Sequence, residues 1–257
     1  MNKDQVSSVK AKDIDMIIGG HFMHYDHGGN IPALTRQNPN IRIITSRNTT
    51  GILTEMWLDS ANISIRDCET MSSQYPDKVF NPIYTIDDVE EAAKLIEEYD
   101  IGEIYELDEN ISIRYTYSGH ILGAVQCELF IKIKNHITKL LFTSDLGNVK
   151  IQDLKPFVQN FEPVYTAQYV FGECTYGSKD NKQITQKIID KDLEKIKSVI
   201  QQFCGDYKRR VLMPVFSLDK CPVVLWLIYQ MFKDDKNFDT KVLVDSPLTN
   251  RLLDRYS

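Results

Sequence analysis

Three of the five histidines of this chain, His21, His24 and His27, fall within one seven-residue run that also holds Asp26. With the three residues after it, the run reads His21-Phe22-Met23-His24-Tyr25-Asp26-His27-Gly28-Gly29-Asn30, and it follows an apolar stretch, Met16-Ile17-Ile18. Imidazole nitrogens and carboxylate oxygens are the donors that hold zinc and related divalent ions. A lone histidine is usually a surface or satisfied core residue. Three crowded together in a histidine-poor chain point to a metal site instead. Gly19-Gly20 before the run and Gly28-Gly29 after it make a helical display of the histidines unfavourable and predict a turn or short loop. Loops that follow strands are where scaffolds commonly hold chemistry.

Two further places supply matching donors. In Ser118-Gly119-His120-Ile121-Leu122-Gly123-Ala124, His120 sits in a glycine-flanked break that lets backbone approach closely. In Leu141-Phe142-Thr143-Ser144-Asp145-Leu146-Gly147, an apolar strand delivers Asp145 at its C-terminal end. Each alone is a weak signal, since an aspartate at a strand end commonly caps a turn. With the histidine run they bring His and Asp from three strand ends, the way a two-metal hydrolytic site is assembled.

The elements that must position these residues alternate between strand and helix patterns, which predicts α/β layering. Met16 to Ile18 reads as a buried strand, Ile41 to Thr45 as a strand and Thr49 to Leu58 as a helix. Thr85 reads as an N-cap with Asp88 at the capping-box position. Val89, Ala92, Ala93, Ile96 and Tyr99 then read as one helical face. From Glu103 to Ser144 the pattern is strand-like. Ile111, Ile113 and Tyr115 alternate with polar residues, and Val125 to Ile133 and Ile137 to Thr143 flank a turn at Lys134-Asn135-His136. His136 in that turn reads as a surface residue. Tyr165 to Glu173 reads as a further strand.

The texture changes after Gly177. Ser178 to Gln183 is polar and without pattern. An amphipathic helix then carries Ile189, Leu193, Ile196, Ile200 and Phe203, with Gly205 as its C-cap. Arg210 to Phe216 reads as a strand, Pro222 to Phe232 as an apolar helix and Lys241 to Asp245 as a strand, an order that predicts a parallel, doubly wound sheet. The boundary falls near Gly177, giving units 1–177 and 178–257.

Composition excludes several classes. The five cysteines are scattered without a C-x-x-C pair, so a disulfide framework or thiolate zinc site is not expected and a reducing compartment is. No window approaches the roughly 20 apolar residues of a membrane span, and the N-terminus carries no apolar signal core. A soluble, cytoplasmic protein is the expectation, with no membrane partner. A net charge of −6 argues against a wholly basic nucleic-acid-binding surface but leaves room for a local basic cleft.

The chain resembles the metallo-β-lactamase fold and, within it, the β-CASP branch of RNA-processing nucleases. The resemblance rests on the histidine run, the Gly119-His120-Ile121-Leu122-Gly123-Ala124 segment, the strand ending at Asp145, and Glu173-Cys174-Thr175-Tyr176-Gly177. Arg210-Val211-Leu212-Met213-Pro214-Val215-Phe216-Ser217 and Val244-Asp245-Ser246-Pro247-Leu248 extend it, and Leu58 to Tyr84 resembles the family's connecting segment. It implies an αββα sandwich with the start of an inserted β-CASP α/β domain. It implies two zinc ions, with His24 and His120 on the first, Asp26 and His27 on the second, and Asp145 bridging them. It further implies hydrolysis of RNA phosphodiester bonds by a zinc-activated hydroxide. Glu173 would support a histidine supplied from further along the chain. Single-stranded RNA is the implied partner, and homo-oligomerisation is left open.

Three departures qualify what is implied. The family motif has a histidine two residues before His24, where this chain has Phe22; His21 lies one residue further back. Either the loop bulges so that His21 reaches the metal, or the site holds its ion poorly. The family's leading β-hairpin region and its later histidines have no counterpart here, which predicts an unpaired edge on the first sheet and an incomplete second site. The alternative reading is a catalytically inactive subunit or scaffold of an RNA-processing complex. The presence of Asp26, His27, His120 and Asp145 favours the hydrolase.

Overall fold

A computed structural model describes residues 9–47, 49–147, 154–180, 184–206 and 209–256. Two sheets form the framework. The first is parallel, ordered β1 (Met16–Ile18), β2 (Arg42–Ser46) and β3 (Ile96–Tyr99). The second contains β4 (Ile104–Glu106), β5 (Ile111–Tyr117), β6 (Val125–Ile133), β7 (His136–Phe142) and β8 (Tyr169–Phe171) in that order. It is antiparallel except for the last pair, β7 with β8. The chain has a mixed α/β fold. Among the described residues β1 pairs with β2 alone.

Strand alternation decides which face is inside. Ile113, Tyr115, Val125 and Cys127 meet Ile44 between the two sheets, with Met16 and Ile18 of β1 partly buried against them. The Tyr115 hydroxyl donates to the Ile44 carbonyl across that layer, at 3.1 Å. The opposite face of the second sheet is polar. There Glu128, fully buried, accepts from Arg114 Nε at 2.6 Å and Nη2 at 2.9 Å and also pairs with Lys139. Burial opposes ionisation of Glu128, but the hydrogen bonds from Arg114 and Lys139 outweigh it and hold the carboxyl below its usual range.

Helices α2 (Ile31–Gln37), α3 (Thr50–Gln74) and α4 (Ile86–Lys94) cover the other face of the first sheet. They bury Ile31, Leu53, Trp57, Ala61, Val89 and Ala92 with Ile43. The capping box at α4 forms as expected: Asp88 N–H donates to Thr85 Oγ1, and the Asp88 carboxylate accepts from Thr85 N–H at 2.7 Å. The helix expected from Thr49 to Leu58 is far longer. Its apolar periodicity ends near Ala61, yet no glycine or proline interrupts the chain before Pro76, so a polar second half continues the helix.

Several sequence expectations do not hold. Ile96 and Tyr99 leave the helical face and form β3, because Ile96 through Tyr99 pair with Ile43 through Ser46 and Arg42 grips Glu97 with two bonds of 2.7 Å. Tertiary pairing overrides local periodicity there. His136 is the first residue of β7, paired with Ile133; Lys134-Asn135 alone turn the hairpin, with Lys134 at φ 55°. The strand expected from Tyr165 to Glu173 is confined to β8.

After β8 come α5 (Gln186–Ile200), continuing into a π-turn at Gln201–Asp206 that contains Gly205, then α6 (Lys220–Phe232) and α7 (Pro247–Leu253). Arg210 to Phe216 and Lys241 to Asp245 form no ladder, so the doubly wound parallel sheet is not present among the described residues. An apolar run becomes a strand only where another backbone offers its hydrogen-bonding groups. Ser178 to Gln183 lies partly outside the described residues.

Candidate metal centre

The histidine run lies beyond β1, where the first sheet meets β6. Val125 N–H donates to the Gly20 carbonyl at 2.9 Å, and a Cβ on Gly20 would overlap the Val125 backbone. Only glycine permits that approach. His21 follows it and turns inward. Phe22 and Met23 are both buried, Phe22 in the helix-side core and Met23 in a cluster with Ile52, Ile121 and Leu252. His24 then caps the short helix α1 (Tyr25–Gly28), which carries Asp26 and His27. The two residues between His21 and His24 therefore serve as core anchors, and the displaced register still brings His21 to the site. Trp57 of α3 steadies this loop by donating from Nε1 to the Gly28 carbonyl at 2.9 Å.

His120 comes from a tight turn between β5 and β6. Gly119 and Gly123 take φ of +70° and +76°, and Ser118 N–H closes the turn on the Ala124 carbonyl at 3.1 Å. Asp145 follows β7, after Ser144 at φ 55°. Gly147 N–H donates to the Ser118 carbonyl at 2.9 Å, and a Cβ on Gly147 would run into the Gly119 carbonyl. That contact fixes the Asp145 turn against the His120 turn.

The side chains converge. Asp145 Oδ2 lies 3.7 Å from His21 Nε2, 3.5 Å from His120 Nε2 and 4.0 Å from His24 Nδ1. Its other oxygen lies 3.3 Å from His27 Nε2. One donor atom from each of His21, His24, His120 and Asp145 falls within 4.8 Å of all the others. Donors at about 2.1 Å from a tetrahedral ion stand about 3.4 Å apart, so these separations suit a shared ion better than direct hydrogen bonds. His21, only 1% exposed, has no partner for either ring nitrogen, and His120 Nε2 is likewise buried and unpartnered. Buried polar atoms without partners are rare. Here they face one another, which is the signature of a ligand set, and the residues present fit a divalent ion.

The electrostatics keep those lone pairs available. Burial first, then the charge that His24, His120 and His27 would carry, pushes the His21 pKa down to about 2. Burial also lowers His24 and His120, against the opposing pull of nearby carboxylates. His21, His24 and His120 are therefore neutral near pH 7 and able to donate to a metal.

Two of the expected residues stand apart. Asp26 is on the rim, its side chain 79% exposed and its oxygen 3.8 Å from His27 Nε2. Glu173 follows β8 and accepts from Leu146 N–H at 2.7 Å, so it braces the residue after Asp145. Burial opposes ionisation of Glu173, but hydrogen bonds from Leu146 and Thr175 hold its carboxyl below the ordinary range. A cavity of about 590 Å³ opens beside the cluster, walled by Ile18, Leu129, Phe142 and Phe171 and ending at His21 and Asp145. The sequence reading missed one feature near the centre, the buried contact of Lys155 and Asp219 with the His120 turn. No spacing or periodicity signals it, because the partners are far apart in the chain.

The two-sheet α/β scaffold carries, at its strand ends, a His/Asp cluster that could hold a metal ion. The chain is 24% identical over 245 residues to an RNase J-like protein of Methanocaldococcus jannaschii, covering 95% of this chain and 50% of the relative. It is 24% identical over 217 residues to transcription termination factor FttA of the same organism, covering 84% of this chain and 31% of the relative. The chain thus spans half or less of these relatives' lengths. A B3 metallo-β-lactamase with an active-site glutamic acid superposes with a TM-score of 0.33 at 18% identity, covering 75% of this chain and 55% of the other. No family model matches. The order of the motifs and these two relatives agree with the resemblance to metallo-β-lactamase-fold proteins of the β-CASP type.

Proposed function

We propose that this chain is the catalytic part of a zinc-dependent ribonuclease that hydrolyses phosphodiester bonds of single-stranded RNA in the cytoplasm. The observation that carries the reading is the convergence of His21, His24, His120 and Asp145 with the buried imidazole nitrogens unpartnered. His21, His24 and His120 would hold one zinc ion. Asp26 and His27 would hold a second, with Asp145 offering one oxygen to each side. When bound, zinc supplies Lewis acidity and lowers the pKa of water toward neutrality.

The chain's own residues do the rest. The neutral imidazoles keep their lone pairs directed inward, and the Asp145 turn is held rigid by Gly147 and Glu173. Asp26, exposed on the rim, is free to turn toward an incoming ligand. The division into units 1–177 and 178–257 fits this assignment, since His21 through Glu173 lie in the first. An RNA partner is supported by the names of the relatives and by no basic stripe of this chain. No helix among the described residues is long and apolar enough to cross a membrane.

The test is cleavage of a labelled single-stranded RNA by the purified chain, with its metal content measured in parallel. Zinc-dependent cleavage abolished by chelator and by Asp145→Asn is the expected result. Cleavage insensitive to chelator would refute the metal reading. Bound zinc without cleavage would refute the nuclease reading and favour a scaffold role.

A further inference from the structure

We propose that Asp219 is a positioning residue for the metal centre, acting through Lys155 on the backbone of His120; the assignment rests on the metal-centre reading above. Asp219 lies immediately before α6, distant in sequence from every proposed ligand, and is only 3% exposed. Its carboxylate accepts from Lys155 Nζ at 3.0 and 2.8 Å. The same ammonium donates to the carbonyl of His120 at 2.9 Å. One buried cation therefore ties a carboxylate at the start of α6 to the peptide that carries a proposed ligand. Lys220 Nζ also reaches Asp219, at 2.9 Å, from the solvent side, and Asp219 N–H donates to the Tyr256 hydroxyl at 3.2 Å.

The arrangement is costly for a purely structural one. Asp219 has φ 62° and ψ −55°, outside the regions an L-residue prefers. Such backbone costs about 1–3 kcal/mol, and glycine would avoid much of it. A buried ion pair is also a poor source of stability, because desolvation offsets most of the attraction. What the pair does secure is direction. The His120 turn rests on Gly147 through Ser118 on one side and on Lys155 on the other. Removing Lys155 or its counter-charge frees the His120 carbonyl, and the imidazole loses its fixed approach to Asp145. Groups that hold a ligand in place change metal affinity about 10- to 100-fold when lost.

The experiment titrates Co²⁺ into the metal-free chain and follows its visible absorption, a readout of ligand geometry. Asp219→Gly deletes the carboxylate while relieving the backbone, and Lys155→Met deletes the cation. Both are expected to weaken Co²⁺ binding at least about tenfold and to alter the visible band, in chains whose far-UV circular dichroism shows that they remain folded. Lys220→Met, which removes a contact that does not reach His120, is expected to leave affinity and band unchanged. A folded Asp219→Gly or Lys155→Met with the affinity and spectrum of the unaltered chain would overturn the assignment alone. Failure of the unaltered chain to bind Co²⁺ would overturn the metal centre and this assignment with it.

Discussion

Acid should destabilise the metal-free protein through His21, and the size of the effect follows from its burial. The His21 pKa lies near 6.5 in the unfolded chain and is pushed down to about 2 in the folded one. Below about pH 6.5 the unfolded state binds a proton that the folded state refuses. The contribution of this residue to stability is therefore intact above pH 6.5 and is lost progressively as pH falls toward 2. At about pH 5 the loss is RT ln(1 + 10^1.5), about 2 kcal/mol. His24 and His120 are also lowered and act in the same direction. Urea unfolding of the chelator-treated protein at about pH 7, 6 and 5 measures the slope. His21→Asn cannot titrate, so its stability should fall by about 2 kcal/mol less over the same interval. If both proteins show the same pH dependence, His21 is not the buried neutral imidazole described above.

Two further outcomes follow from close contacts around the site. Gly147→Ala places a methyl group against the Gly119 carbonyl and must displace either turn; thermal unfolding should show a loss of about 1–3 kcal/mol, with weaker zinc binding by calorimetry. Trp57→Phe keeps most of the buried ring but leaves the Gly28 carbonyl without its donor. A destabilisation of about 1–2 kcal/mol in urea is expected, and unchanged stability would show that the indole bond does not hold the histidine loop.

The local elements were the legible part of the sequence. The Thr85–Asp88 capping box, the alternation in β5 and the β6–β7 hairpin each depend on neighbours a few residues apart, and each forms. His21, His24, His27 and His120 were also visible, because the chain holds only five histidines, and the structure brings them together around Asp145. What was not legible depends on partners far away in sequence. Ile96 to Tyr99 became a strand because β2 was there to receive it. Arg210 to Phe216 and Lys241 to Asp245 have strand composition but no ladder. The register of His21 could not be settled from spacing. It depends on Phe22 and Met23 being buried in two different clusters, which lets His21 turn toward the site.

The division of donors between the two sheets has a thermodynamic consequence. His21, His24 and His27 follow the parallel sheet, whereas His120 and Asp145 belong to the meander of β5, β6 and β7. Neither half alone assembles the set, so an ion that needs all of them binds only after the halves have docked. Such an ion acts as a cross-brace, stabilising the docked state by RT ln(1 + [L]/Kd). Free zinc at about 100 times its dissociation constant would add about 2.7 kcal/mol. Withdrawal of the proposed ion should then loosen the seam between the sheets before it disturbs either sheet, so the joint, rather than the core of either half, would be the first part to respond to metal loss.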